Sequence, residues 1–240
     1  MSYFQMVNAS DRLLNGAAHG RVAEVQAGLD QGGDVNHCRT YSTPVALAVE
    51  GRHAECLALL LAHNANPNLS NQNRWAPIHE AAGNDYPEIL AQLLAHPTTD
   101  RFVMDNQGMT ALAVAVERNA PGALAPLLTI YQEAGMLDGQ DRNGETALFK
   151  AVKTENRDFL LQLIAAGANP AIPNHADQTP AELAASTGWS EGMALLGQAQ
   201  RLFSTRAEAP KPSESAARVE EVPAYRASPL TTIRKRRFGP

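Results

Sequence analysis

Asp141-Arg142-Asn143-Gly144-Glu145-Thr146-Ala147-Leu148, with Gly167-Ala168-Asn169-Pro170 further on, is the stretch that decides the fold. The first part reads as a polar turn leading into an Ala-rich helix. The second closes a Leu-rich run, Phe159-Leu160-Leu161-Gln162-Leu163-Ile164, because Gly or Asn can take the left-handed conformation that ends a helix. A proline just beyond prevents the helix from continuing.

The same landmarks recur in the same order along the chain. Turn signatures stand at Thr43-Pro44, Ala76-Pro77, Thr110-Ala111, Thr146-Ala147 and Thr179-Pro180, with starts separated by 33, 34, 36 and 33 residues. Each precedes a small apolar stretch such as Val45 to Val49, then a second apolar run such as Cys56 to Leu61, both fitting short helices at the 3.6-residue period. Further closings stand at Gly32-Gly33-Asp34-Val35-Asn36 and Asn64-Ala65-Asn66-Pro67-Asn68. A fixed period of this length is the signature of a repeat array.

These residues resemble the ankyrin repeat family, whose D-x-x-G-x-T-P-L-H and G-A-D-V-N patterns they approach over residues 8 to 200. The resemblance implies an all-α solenoid of stacked helix-turn-helix repeats with β-turn tips. It divides the chain into a domain over residues 1–203, made of an N-terminal cap at 1–37 and repeats near 38–70, 71–104, 105–140, 141–173 and 174–203, and a disordered basic tail at 204–240. Neighbouring repeats share one core, so each end needs a polar outer side.

Departures from the pattern mark individual repeats. The third has Arg74 where the turn glycine is usual and Ala76 in place of threonine, while His79 matches the family's histidine, whose implied role is hydrogen bonding within the turn layer. The fourth carries Pro126 in its second helical run, and Tyr131 to Gln140 read as an expanded connection, so a kinked helix and a protruding loop are expected.

With 44% hydrophobic and 19% charged residues, the chain has ample core for one elongated domain plus a tail. No apolar run approaches the length of a membrane span, and Met1 to Met6 lack a basic start and a long apolar segment. Neither a secretory signal nor a membrane partner is indicated, and the cytosol is the expected compartment. Two cysteines, Cys38 and Cys56, make no disulfide framework in a chain this size.

The net charge of −5 hides a division. Residues 1–200 carry 11 basic and 21 acidic side chains, whereas residues 201–240 carry 9 and 4. An acidic array repels phosphates, so nucleic acid is disfavoured as a partner of the repeats and stays open for the tail. From Ser204 the periodicity stops and five prolines enter, leaving too little apolar surface to offset ordering entropy. Near the end, Arg226, Arg234, Lys235, Arg236, Arg237 and Phe238 form a cationic cluster bracketed by apolar residues. It reads as an import or nucleic-acid patch, an anchor for an acidic protein surface, a secretion signal, or a solubilising end that contacts nothing.

The family's architecture implies a concave binding surface lined by turn tips and first helices. Candidates are Arg39 and Tyr41, then Gln72, Arg74 and Trp75, then Asn106, Gln107 and Met109, then Arg142 and Glu145, with Glu50, Glu80, Asn84, Glu117 and Lys150 extending the face from the helices. Trp75 leads, because Trp, Tyr and Arg are enriched among binding hot spots. Its structural alternative is a plate packed across neighbouring turns. For Arg142 and Glu145 the plainer account is a solvated charge pair.

No phosphate-binding glycine loop, nucleophile elbow or zinc-protease motif occurs, and a shallow groove excludes little water, so no catalytic residue and no cofactor is expected. His37, Cys38, His53 and Cys56 have the residue types of a metal site. The family placement instead puts His53 at a junction between helices and Cys56 on an apolar face, so no metal is expected. The expected function is a non-enzymatic interaction module that holds a protein partner, with the tail as a second contact. A microbial secreted effector engaging a host protein, and an inhibitor or chaperone-like subunit covering a basic partner surface, stay open.

Overall fold

In the computed structural model, residues 3–40 and 42–208 are described. They form twelve α-helices: α1 (Tyr3–Ala18), α2 (Val22–Asp30), α3 (Pro44–Glu50), α4 (Ala54–Ala62), α5 (Pro77–Gly83), α6 (Pro87–Ala95), α7 (Ala111–Glu117), α8 (Pro121–Glu133), α9 (Ala147–Lys153), α10 (Arg157–Ala166), α11 (Pro180–Thr187) and α12 (Ser190–Glu208). Among the described residues the sole β feature is an isolated antiparallel bridge between Arg39 and Ser42. The last helix runs on past Phe203, where the tail was expected to begin. The cationic cluster from Arg226 to Phe238 lies outside the described residues.

The turn signatures work through helix capping. Thr43, Thr110, Thr146 and Thr179 each sit at an N-cap, where the hydroxyl accepts the backbone N–H three residues on at 3.1–3.3 Å. Proline opens α3, α5 and α11, a position whose N–H has no helical partner anyway. Ala76 has no hydroxyl to offer, so the His79 N–H donates to the Ala76 carbonyl instead, while His79 Nδ1 accepts the Ala76 N–H at 3.1 Å.

Four tips share one anchor. Five residues before each N-cap, a side-chain oxygen of Asn71, Asp105, Asp141 or Asn174 accepts two backbone N–H groups, two and four residues further on. The tip then passes through a left-handed residue, which is Gly108 (φ 78) and Gly144 (φ 76) in the fourth and fifth repeats. A Cβ on Gly144 would lie 2.6 Å from the His175 backbone nitrogen, so the tips pack closer there than a side chain allows.

Successive tips are joined by backbone hydrogen bonds: Asn106 N–H to Asn73 O, Arg142 N–H to Gln107 O, and His175 N–H to Asn143 O, at 2.8–2.9 Å. On the opposite edge, Asn36, Asn68 and Asp138 accept the N–H groups of Asn66, Asp100 and Asn169 at 2.7–2.8 Å. This second ladder is what the recurring Asp-Val-Asn and Asn-Pro closings build.

Between the two edges lies one continuous apolar layer from Leu13 to Leu196, dominated by the leucines of the second helices and the alanines and valines of the first. Small residues in α3, α5, α7 and α9 let adjacent helices stack, and α7 is buried from Ala111 to Val116.

The fourth repeat differs from expectation. Its extra residues lengthen a helix rather than a loop: α8 has 13 residues against 9 in α6 and runs through Pro126 as one helix. Tyr131, expected in a connection, is a buried helical residue whose hydroxyl donates to Arg101 O at 2.9 Å and whose ring meets Phe102 edge-on. Burial pushes its phenol up to about 12. The extension survives because it buries this ring across the repeat boundary.

Candidate functional site

The turn tips and first helices bring most of the expected residues to one face. Gln72, Arg74, Gln107 and Arg142 are exposed at the tips. Asn106 is half-buried, held by its bonds to Asn73 O and Gln72 O. Arg39 turns back toward the cap and pairs with Asp11 at 3.2 Å. Tyr41 lies outside the described residues.

Trp75 is half-buried at the centre of this face. Its indole N–H donates to Glu80 Oε2 at 2.7 Å, its ring stacks on His79 at 5.2 Å, and the Arg118 guanidinium lies over it at 4.8 Å. Its remaining apolar surface meets Met109, Ala113 and Val114 of the fourth repeat. The indole is therefore a plate joining the third repeat to the fourth, with one part open to solvent.

Beneath it His79 is fully buried. Since Nδ1 accepts the Ala76 N–H, the proton sits on Nε2, which faces Val103 O and Met109 O at 3.1 Å each. Burial pulls the imidazole below its ordinary value, keeping it neutral. The histidine thus reaches beyond its own turn to the next repeat.

Met109 and Glu145, expected to project, are buried instead. Both occupy the position that Trp75 holds, immediately before the N-cap, where the chain turns inward to start the first helix. Met109 packs under Trp75. Glu145 forms no pair with Arg142; it meets Lys150 Nζ at 3.1 Å and Lys153 Nζ at 2.8 Å. Lys150, expected to extend the exposed face, is 2% exposed, with its ammonium also 2.8 Å from Asp141 and 3.5 Å from Glu117.

This cluster resolves its own electrostatics. Burial opposes the charged form of Asp141, but the hydrogen bonds from Lys150 and from the Glu145 and Asn143 N–H groups hold its carboxyl below the ordinary range. Burial likewise disfavours the Lys150 ammonium, yet Asp141, Glu117 and Glu145 together raise it. No run of sequence signalled the network except that Lys150 stands where other first helices place Leu47, Val114 and Leu183.

Two open hollows flank Trp75. One of about 320 Å³ lies toward the second repeat, between Ser42 and Glu50 on one side and Asn71 to Glu80 on the other. The second, about 560 Å³, lies toward the fourth and reaches Asp105 to Met109, Glu117 and Arg118. Asn71, Asn73, Trp75 and Glu80 belong to both. The tip ladder does not extend to the first hollow: among the described residues, no backbone bond joins tip 39–42 to tip 71–75. Cys38 stands five residues before Thr43, where the other repeats have Asn or Asp, so the second repeat lacks the shared anchor.

The remaining expected groups have structural partners. His53 sits beside Gly20 and Gly51, with Nε2 3.3 Å from Ala18 O, and Cys56 is buried in the apolar layer. Among the described residues, no group of three potential metal ligands converges, and no helix is long and apolar enough to cross a membrane.

Short helix pairs, anchored tips and two inter-repeat ladders define an ankyrin stack, and the chain belongs to the ankyrin repeat family. The family model described as "Ankyrin repeats (3 copies)" matches residues 13–101, 47–138 and 83–177. The chain is similar to mouse Rabankyrin-5, with 30% identity over 62% of this chain and 13% of that protein. It is also similar to chicken nuclear factor NF-kappa-B p105 subunit, with 29% identity over 65% and 16%. It thus spans less than a fifth of those relatives. Among solved structures, an ankyrin repeat protein designated EF0377 superposes with a TM-score of 0.71 at 27% identity, covering 79% of this chain and 98% of that one. An ankyrin repeat domain from Acinetobacter baumannii gives 0.71 at 25% identity, covering 78% and 96%. Ankyrin repeats are in general non-enzymatic protein–protein interaction modules.

Proposed function

We propose that the chain binds a protein partner on a concave face formed by its tips and first helices, with Trp75 at the centre of the contact. The observation that supports this reading is the pair of hollows sharing one aromatic wall. A partner segment lying along both would cover the open part of the indole, and a half-exposed Trp anchored by hydrogen bond and stacking is a preorganised hot spot. The opposite charge balances of residues 1–200 and 201–240 support a second contact through the tail, which would raise effective concentration once the array has docked.

Affinity capture followed by mass spectrometry tests the reading with the intact chain, Trp75→Ala, Arg74→Ala, the outer-helix control Glu88→Ala and a truncation after Glu208. Loss of the same protein with Trp75→Ala, by about 2 kcal/mol or more, and its retention by Glu88→Ala support the face. Circular dichroism of each variant separates lost contact from lost fold. Capture that survives Trp75→Ala and disappears with the truncation overturns it.

A further inference from the structure

The third and fifth repeats build the same arrangement with different charges. In the fifth, the residue before the N-cap (Glu145) meets the fourth residue of the helix (Lys150), and the last residue of the preceding first helix (Glu117) reaches the same ammonium. In the third, the equivalent residues are Trp75, Glu80 and, from α3, Glu50. Trp75 meets Glu80 as Glu145 meets Lys150, but the ammonium is replaced by a second carboxylate.

That substitution leaves an unbalanced site. Glu50 and Glu80 are the charged groups in the wall of the 320 Å³ hollow, and no cation lies within ion-pair distance of either among the described residues. Partial burial and then the Glu80 carboxylate push the Glu50 carboxyl up. The partners that Glu80 does have, the Trp75 indole N–H and the Asn84 amide at 2.6 Å, are neutral donors. The hollow also sits where the tip ladder is interrupted, so it opens between two tips.

Resting on the proposed face, we infer that this hollow receives a lysine or arginine side chain of the partner protein, seated between Glu50 and Glu80 beside the Trp75 ring. The partner cation takes the place that Lys150 fills from within the chain two repeats later. An aromatic wall next to paired carboxylates suits such a side chain, whose methylene stem packs on the ring while its head is neutralised. In the neighbouring hollow the carboxylates beyond Glu80 are already engaged, Asp105 by two backbone N–H groups and Glu117 by Lys150, and Arg118 is present, so the preference belongs to the first one.

A display library of random peptides selected against the full chain tests the inference. Enriched peptides should share one lysine or arginine, and replacing it by glutamine should weaken binding roughly fivefold or more. Glu50→Gln, which keeps shape and removes the charge, should cause a similar loss that does not add to the peptide substitution, as should Glu80→Gln, which keeps one of the two acceptor oxygens used by Trp75 and Asn84, and higher salt should weaken the wild-type contact selectively. Peptides that require Trp75 but carry no shared basic residue, or whose affinity ignores both glutamine variants, overturn the inference and leave the proposed face standing. Peptides indifferent to Trp75→Ala, or no enrichment at all, overturn both.

Discussion

Lys150 Nζ lies 2.8 Å from Asp141 Oδ2, with the two side chains only 3% and 2% exposed. A buried pair of this kind is weak evidence for net stability, but removing one member leaves a charge stranded. Lys150→Met should cost about 3 kcal/mol in chemical denaturation, whereas Lys153→Met, which removes a lysine that is itself half in solvent, should cost less than about 1 kcal/mol.

The same pair sets a pH window with two edges. The Asp141 carboxyl is lowered on folding, so its contribution is present above the ordinary carboxylate range and disappears as pH falls through the folded value. Lys150 is raised, so its contribution is complete below the ordinary lysine value and disappears as pH rises through the folded one. Asp141→Asn should flatten the acid edge of a stability-against-pH curve; an unchanged acid edge would contradict this assignment.

His79 should add a third feature near neutrality. Its folded value is depressed, so stability is complete above the unfolded histidine value of about 6.5 and declines as pH falls from there to the folded value. In His79→Gln that decline should vanish from urea midpoints measured across the range, on a base level lower by about 2 kcal/mol for the stranded Val103 and Met109 carbonyls.

Arg74 occupies a left-handed conformation (φ 55) where the next two tips have glycine. Arg74→Gly should raise stability by about 1 kcal/mol, seen as a higher denaturation midpoint. If the arginine also contacts a partner, the same change weakens capture, so stability and binding move in opposite directions.

Cys38 can be exchanged for the anchor used elsewhere. Cys38→Asn should stabilise the second tip by about 0.5–1 kcal/mol and slow hydrogen exchange in residues 39–43. It should also reduce binding that depends on the first hollow, because an anchored tip approaches its neighbour more closely.

The helices were legible because threonine and proline at helix starts and Asn or Gly at helix ends act locally, within a few residues of the groups they satisfy. Tip residues such as Gln72 and Arg142 were legible for the same reason. Met109 was misplaced because its direction depends on Trp75 of the adjacent repeat, and Glu145 and Lys150 because each is buried by a charge partner within its own repeat. The residue before an N-cap is at least half-buried in every tip, and what it meets is settled in one case by the next repeat, where Met109 meets Trp75, and in another by the following helix, where Glu145 meets Lys150. Tyr131 was misplaced because a longer repeat looks the same in sequence whether the surplus extends a helix or a loop. A charge standing at the leucine position of a first helix was the available signal for both Glu80 and Lys150.

The two ladders are unequal along the stack. From the third repeat onward neighbours are tied by backbone bonds at the tips, while among the described residues the second and third are joined by the far-edge bonds from Asn68 to Asp100 and Thr98, by Arg52 stacked over Tyr86 and by the shared apolar layer. Such a joint lacks the tip bonds that its neighbours have. Any bending at this joint would open toward the tips, where it would widen or narrow the mouth of the hollow, placing compliance beside the groove.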